Sequence, residues 1–346
     1  MNMEIGVDGK RRWARNKRGK EAMKDSASKE LSFRTVVVTK KDQVAEGIFR
    51  FELRDEEGHA LPPFTAGAHL TVRVPNGANR NYSLCNDPDE TDRYVIAVKR
   101  DAAGRGGSVS MADEVAEGGR IDVSEPRNEF GLSERARSFV FVAGGIGITP
   151  ILSMMRHLRA TSGPRFKLYY VSRSPETTAF LDELSSAEWK PHVVIHHDHG
   201  DLANALDFWP VFEKPGSGAH VYCCGPRALM DSVRDMTGHW PTGTVHFESF
   251  GVDQSRAAEN TPFSVKLERS GRSFEIPKDR SILEILRDNG IRAPSSCESG
   301  TCGSCRTTLC AGEADHRDMV LGDDEKRDQI MICVSRAKSE ELVLDL

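Results

Sequence analysis

The chain has 346 residues, of which 38% are hydrophobic and 29% charged, and a formal net charge of −5. That length suits two or three globular domains, and the negative balance argues against general nucleic-acid binding. No stretch is long and apolar enough to span a membrane, and the start lacks the apolar core of a signal peptide, so the expectation is a cytoplasmic protein whose eight cysteines remain thiols.

Residues 1–30 hold nine Lys/Arg and five Asp/Glu, a net of +4, so the remainder carries −9. The run from Lys10 to Lys20 has no apolar period and reads as a disordered, solvated tail. From residue 31 to 134 the pattern is one of short alternating strands, with Phe33–Lys40, Ile48–Arg54, His69–Val74, Tyr82–Cys85 and Tyr94–Lys99 separated by Gly, Pro, Asn and Asp. This predicts an antiparallel β-barrel. Within it, Arg80-Asn81-Tyr82-Ser83 offers a guanidinium for a phosphate and a flat ring for an isoalloxazine. Gly104-Arg105-Gly106-Gly107-Ser108 can nest phosphate oxygens on its N–H groups. Each is equally compatible with ordinary strand and turn residues.

The pattern changes at residue 135. Phe139–Ala143 is a continuous apolar run, as expected of a strand buried on both faces. Strand Phe166–Val171, helix Ala179–Ala187, strands His192–His196 and His220–Cys223, helix Pro226–Asp235 and strand Thr244–Glu248 follow. The alternation predicts a parallel α/β sheet over residues 135–251. Between the first strand and its helix lies Gly144-Gly145-Ile146-Gly147-Ile148-Thr149-Pro150. It is not the usual dinucleotide fingerprint, but its strand–loop–helix setting suits a pyrophosphate at a helix N-terminus, with Thr149 as cap and Pro150 in the first turn. Cys224-Gly225-Pro226 sits at another strand end of the same sheet, where ligands of such sheets bind. Cys224 reads equally as a ligand contact or as a small residue in a tight turn. His196-His197-Asp198-His199 reads as a strand-end loop and not as a metal site, because a local run rarely supplies the geometry.

Residues 252–262 lack apolar periodicity and read as a linker. In 263–346, Phe263–Leu267 and Ser273–Ile276 look like a hairpin. Ser281 and Glu284 form a capping box, Gly290 is positioned to end the helix, and Leu342–Leu346 reads as a final strand. Cys297, Cys302, Cys305 and Cys333 then read C-x4-C-x2-C…C, the plant-type spacing for a [2Fe–2S] cluster. Gly300 and Gly303, with Ser295, Ser296, Ser299 and Ser304, let the backbone curl closely and donate N–H groups to sulfur. A zinc site would favour two C-x2-C pairs, and there is one. Cys310 lies outside the pattern and reads as a packed thiol.

Taken in order, R-x-Y-S, Gly-Gly-Ser, GGIGITP, CGP and a C-terminal ferredoxin segment resemble the phthalate dioxygenase reductase family over roughly residues 31–346. The resemblance implies an FMN-binding barrel, an NADH-binding α/β domain and a plant-type ferredoxin of β-grasp type. Arg80, Tyr82 and Ser83 match its flavin motif, Asn81 lying among them. Ala97, Val98 and Lys99 match its flavin-contacting strand, and Gly106, Gly107 and Ser108 its phosphate turn. Gly144, Gly145, Gly147, Pro150, Gly225 and Pro226 fall on the nucleotide loops, Thr149 falls beside flavin and nicotinamide, and Phe250 falls near the flavin ring. Cys224 and Glu248 would shape the nicotinamide pocket, with no acid or base required. Ser172-Arg173 matches a pair that receives the 2′-phosphate in NADPH-using relatives, which stands against the NADH of this family. The implied role is to pass electrons from NADH through FMN and the cluster to a Rieske-type aromatic-ring oxygenase, a favourable direction because plant-type clusters lie at about −400 mV and Rieske centres higher. A reductase for an aromatic O-demethylase, a free flavin reductase and a non-catalytic zinc-stabilised protein are the rival readings.

Overall fold

The computed structural model describes residues 32–104, 106–250, 260–295 and 298–346. The basic tail, Arg105, most of the expected linker, Ser296 and Cys297 lie outside the described residues. Among the described residues no helix is long and apolar enough to cross a membrane.

The first part runs β1 (Phe33–Ala45), β2 (Ile48–Arg54), β3 (His69–Arg73), β4 (Asn79–Ser83), β5 (Tyr94–Lys99), α1 (Gly107–Glu114) and β6 (Arg120–Ser124). These strands form one antiparallel sheet in the order β4-β3-β6-β1-β2-β5. Its two ends meet where Leu84 bridges Ile96 and the Cys85 N–H donates to the Val95 carbonyl at 2.9 Å, so the sheet curls into a barrel. The period-2 pattern sends Val36, Val38, Phe51, Leu53, Leu70, Val72 and Ile96 inward. The fourth strand starts at Asn79, earlier than the sequence predicts, because Arg80 and Asn81 pair with Val72 and Thr71 while Leu84 and Cys85 cross over to β5. The sequence reading did not anticipate α1 or β6.

The second part runs β7 (Ser138–Gly144), α2 (Ile148–Ala160), β8 (Arg165–Ser172), α3 (Leu181–Leu184), β9 (Val193–His197), α4 (Trp209–Phe212), β10 (Ala219–Cys224), α5 (Arg227–Met236) and β11 (Val245–Glu248). All five strands are parallel, in the order β11-β10-β7-β8-β9. The chain moves outward from β7 on one side, then returns to β10 on the other, so β7 and β10 flank the topological switch point. The helix expected over Ala179–Ala187 shrinks to the single turn α3. Phe180 sits at φ +59, which a helix cannot accommodate, and the Ala179 N–H donates to the buried Tyr170 hydroxyl at 3.1 Å.

Barrel and sheet share a core. Ile48, Ala66, Val95 and Ala97 of the barrel lie in one apolar cluster with Phe139, Phe141, Ile148 and Ile151. Helix α2 is also fastened by polar bonds. Ser153 donates to the Asn86 carbonyl at 2.8 Å, and Arg156 donates to the Cys85 carbonyl at 2.6 Å while pairing with both Glu183 oxygens.

The third part contains β12 (Phe263–Leu267), β13 (Ser273–Ile276), α6 (Ile282–Asp288), β14 (Arg306–Ala311), β15 (Ala314–Asp315), β16 (Gln329–Met331), β17 (Arg336–Ala337) and β18 (Glu341–Leu344). The sheet order is β13-β12-β18-β14-β16, with β12 and β18 parallel, and β15 and β17 form a small separate pair. The capping box closes as expected. The Glu284 N–H donates to Ser281 Oγ at 3.2 Å and the Ser281 N–H donates to the Glu284 carboxylate at 2.8 Å, an arrangement whose loss costs about 1 kcal/mol. Gly290, at φ +72, turns the chain away after α6.

Candidate functional site

The two glycine loops meet at the switch point. A Cβ on Gly147 would overlap the Cys224 carbonyl and lie 2.8 Å from the Gly225 nitrogen; one on Gly225 would lie 2.9 Å from Gly144 Cα. One on Gly144 would lie 2.6 Å from Pro226 Cδ. These glycines therefore let the loops after β7 and β10 pack backbone to backbone. Gly145, at φ +53, makes the sharp exit from β7.

Thr149 does not cap α2. The helix begins at Ile148 with Gly147 before it, and the buried Thr149 hydroxyl donates back to the Ile146 carbonyl at 3.1 Å. The short turn Gly145–Gly147 brings that carbonyl within reach and shifts Thr149 into the first helical turn, beside Pro150. Cys224 is fully buried and pairs in register with Glu248 on β11. Burial pushes its thiol well above the ordinary range, and the Glu248 charge pushes it further. Cys224 is thus a neutral thiol at the end of β10 and no nucleophile.

The barrel delivers its own residues to the same place. Ser83 Oγ lies 3.4 Å from Glu248 Oε2, joining the end of β4 to the end of β11. Strand β5 lies against the Gly145–Gly147 turn. Because β4 and β5 are the two ends of the sheet order, their backbone edges face each other across a seam beyond the Leu84–Ile96 bridge. Val98 points into the barrel core and Ala97 into the core shared with α2, while Lys99 is exposed. The backbone of this stretch is what can meet a ligand in the seam.

Arg80 and Tyr82 alternate with Asn79, Asn81 and Ser83 along β4. Asn81 is exposed and accepts from the Thr71 hydroxyl at 2.8 Å, so it belongs to the outer face. Arg80 runs beside the predicted phosphate turn, where a Cβ on Gly107 would lie 2.9 Å from Arg80 Cγ. Gly106, at φ +76, precedes α1, and Ser108 Oγ accepts from the Asp101 N–H at 3.1 Å. The turn therefore opens an eight-residue helix, which the sequence reading missed. The signal was present in Met111 and Val115, four apart and both buried. Tyr82 Oη is buried and has no hydrogen-bond partner among the described residues. Burial pushes this phenol up to about 12, Arg80 opposing, so it is a donor awaiting an acceptor. A guanidinium, a glycine turn at a helix start and an orphaned phenol along one seam fit a phosphate-bearing flavin.

Other expectations separate from this centre. Ser172 is buried with its hydroxyl 2.6 Å from Thr178 Oγ1, so it is turned inward, while Arg173 is exposed. His196 and His197 bond to the Asn204 carbonyl at 2.6 Å and to Thr178 Oγ1 at 3.1 Å. Phe250 is 46% exposed.

In the third part, Cys305 and Cys333 are buried with their sulfurs 3.1 Å apart, close enough to bind one ion. Cys302 lies in the same loop and its sulfur accepts from the Ser304 N–H at 3.5 Å, as the small residues there permit. Gly300 and Gly303, at φ +78 and +79, curl the loop. Among the described residues no group of three His, Cys, Asp or Glu side chains converges as a metal site, and the expected ligand Cys297 lies outside them. A buried thiol pair backed by a glycine loop fits half of a thiolate-bound cluster. Cys310 is exposed and not packed as expected, because β14 turns Thr307 and Leu309 inward and Thr308 and Cys310 outward.

Comparison with known proteins matches residues 265–338 to a 2Fe-2S iron-sulfur cluster binding domain and residues 141–235 to an oxidoreductase NAD-binding domain. The chain is 69% identical over 323 residues to the phthalate 4,5-dioxygenase oxygenase reductase subunit of Pseudomonas putida, covering 93% of this chain and 100% of that one. It is 39% identical over 315 residues to the vanillate O-demethylase oxidoreductase of a Pseudomonas species, covering 90% and 99%. Among solved structures, phthalate dioxygenase reductase, described as modular for electron transfer from pyridine nucleotides to [2Fe–2S], matches at 66% identity with a TM-score of 0.75, covering 91% of this chain and 98% of that one.

Proposed function

This chain belongs to the phthalate dioxygenase reductase family, and from that premise we propose that it is the NADH-dependent reductase component that supplies electrons to a Rieske-type aromatic-ring oxygenase, specifically a phthalate dioxygenase. When bound, NADH supplies a hydride, FMN accepts it and releases electrons singly, and the [2Fe–2S] cluster carries one electron at a time. The chain's own residues bind and orient. Gly144, Gly145, Gly147, Gly225 and Pro226 hold the pyridine nucleotide at the switch point, with Thr149, Cys224 and Glu248 around its reacting end. Arg80 and the Gly106–Ser108 turn hold the flavin phosphate, and Tyr82, Ser83 and the backbone of Ala97–Lys99 line its ring, with Phe250 covering the open side. Cys297, Cys302, Cys305 and Cys333 ligate the cluster. The inward turn of Ser172 removes one of two groups a 2′-phosphate would need, which favours NADH. On this reading the domains divide as 31–134, 135–251 and 263–346, with 252–262 joining the last two.

The observation that carries the proposal is the meeting of Ser83 and Glu248, because it sets the barrel seam against the switch point where Cys224 and the glycine loops lie. A hydride donor and its acceptor need that shared crevice. The greater identity to the phthalate relative than to the vanillate relative favours a phthalate oxygenase as partner.

Anaerobic titration with NADH, followed in the visible region, tests the reading. Flavin and cluster absorbance should bleach together. Flavin bleaching alone would remove the cluster from the path, and a colourless protein containing zinc would overturn the proposal. Reduction assays against purified phthalate oxygenase and an aromatic O-demethylase oxygenase identify the acceptor.

A further inference from the structure

One five-residue segment touches both the residue that follows the Cys224-Gly225-Pro226 loop and the cysteine loop. It runs Asp315-His316-Arg317-Asp318-Met319. Its side toward the α/β part makes two contacts. Arg227, the first residue of α5 and next after Cys224-Gly225-Pro226, donates from Nη1 to the Arg317 carbonyl at 2.9 Å. Asp231 fixes that guanidinium by accepting from its Nε at 3.0 Å. Met319 packs into the apolar cluster of Met230, Val233 and Trp240 beneath α5.

The other side of the segment is bonded to the cysteine loop. The Met319 N–H donates to the Gly300 carbonyl at 2.9 Å, between Cys297 and Cys302. Gly300 has no room for a side chain there, since a Cβ would lie 2.7 Å from Val334 and 3.2 Å from the Asp318 backbone. The Arg317 N–H donates to Ser335 Oγ at 3.3 Å, two residues beyond Cys333. Internal bonds stiffen the segment. Arg317 is buried in a pair with Asp315 at 2.7 Å and also donates to Asn260 Oδ1 at 2.8 Å, and Asp318 Oδ1 accepts from the N–H groups of Val320 and Leu321.

We propose that residues 315–319 form a docking strap that holds the cysteine loop against the nucleotide-binding part, with Arg227 and Met319 as positioning residues for delivery of electrons to the cluster. The inference rests on the proposed function for its redox meaning and on geometry alone for its docking meaning. The strap is short and internally bonded, so displacing it moves the loop as a unit. Small misplacements of reacting centres cost rate heavily.

The test uses the full holoprotein carrying Met319→Ser, Arg227→Ala or both, with Met319→Leu as the conservative control. Small-angle scattering reads docking, and stopped-flow bleaching by NADH reads flavin and cluster separately. In Met319→Ser and the double variant, the radius of gyration should rise and cluster bleaching should slow at least about tenfold. Flavin bleaching in Met319→Ser should match wild type, and Met319→Leu should behave as wild type throughout. Met319→Ser carries the test if Arg227→Ala also disturbs the neighbouring nucleotide loop. An unchanged radius of gyration in the folded double variant overturns the docking role. A raised radius with unchanged cluster bleaching overturns the positioning role. A wild-type protein that fails to bleach at both chromophores refutes the functional reading instead, and the scattering result still decides the strap.

Discussion

Burial decides which side chains near the sheet can carry charge. The Cys224 thiol and Tyr82 phenol both stay protonated, so on the proposed reading the residues nearest the flavin and the nicotinamide are neutral groups. The same physics makes a pH-sensitive pair below the site. His220 Nδ1 lies 3.0 Å from His246 Nε2, and the His246 ring stacks on Tyr222 with centroids 4.3 Å apart. Burial, with a smaller contribution from the neighbouring His220, lowers His246 to about 4, and burial lowers His220 as well. An unfolded chain takes up the His246 proton near pH 6.5, whereas the folded one refuses it until about 4. The pair's contribution to stability is therefore complete above pH 6.5 and is lost as pH falls through that window. Urea unfolding at pH 7 and pH 5 should show a loss in the wild type that shrinks in His246→Asn. Equal losses in both proteins would mean that other groups govern the acid side.

At the scale of elements, the glycine loops separate two kinds of crowding. A methyl at Gly147 meets the Cys224 carbonyl and the Gly225 nitrogen, both backbone atoms at the end of β10, which is paired on both sides. A methyl at Gly107 meets the side chain of Arg80, which can rotate aside. Gly147→Ala should cost about 2 kcal/mol of stability in urea and weaken NADH binding, as overpacking of a fixed contact does. Gly107→Ala should leave the unfolding midpoint near wild type but release flavin on gel filtration, because Arg80 leaves its place at the phosphate turn. A reversed pattern would mean the two turns have each other's rigidity. This also shows why some elements were legible and others not. GGIG and CGP could be read because glycine chemistry is local, and Ser281 with Glu284 announced α6 for the same reason. That Thr149 does not cap α2 is not legible locally, because the turn at Gly145–Gly147 depends on how β7 ends in three dimensions. The helix expected over Ala179–Ala187 failed because the hydroxyl of Tyr170, on another element, captures the Ala179 N–H. The exposure of Cys310 is equally non-local, since its outward phase is set by the register of β14 against β16 and β18.

For the molecule as a whole, the spacing of four cysteines already announced an electron carrier, but only the fold shows how the carrier is presented. Contacts between parts, such as Ser83 with Glu248 and Arg227 with Arg317, join residues 165 and 90 positions apart, and no local pattern encodes them. The surface left for a partner is a matter of charge. Residues 263–346 contain 13 Lys/Arg against 16 Asp/Glu, a net of −3 before any cluster charge. Part of this excess lies beside the cysteine loop. Gly303 abuts Val320, and the chain then runs into exposed Asp323 and Asp324, which among the described residues pair with Lys326 and Arg327, each three residues on. The stretch 323–328 still holds four carboxylates, Asp323, Asp324, Glu325 and Asp328, against Lys326 and Arg327, so an acidic excess of two charges remains there after the pairing. An oxygenase that presents a basic patch would be steered to this face, an effect worth between about tenfold and a thousandfold in association rate at low salt. Raising the salt shortens the reach of that field, from about 30 Å at 0.01 M to about 8 Å at 0.15 M ionic strength. The second-order rate of oxygenase reduction should therefore fall several-fold over that range, and Asp323→Lys with Asp324→Lys should lower the low-salt rate and flatten the salt dependence. NADH bleaching of the flavin should not change, since the proposed flavin and nucleotide sites lie in the other two parts. A rate indifferent to salt would exclude charge steering, and a rate that rises with salt would mean that this acidic face repels its partner and that docking occurs elsewhere.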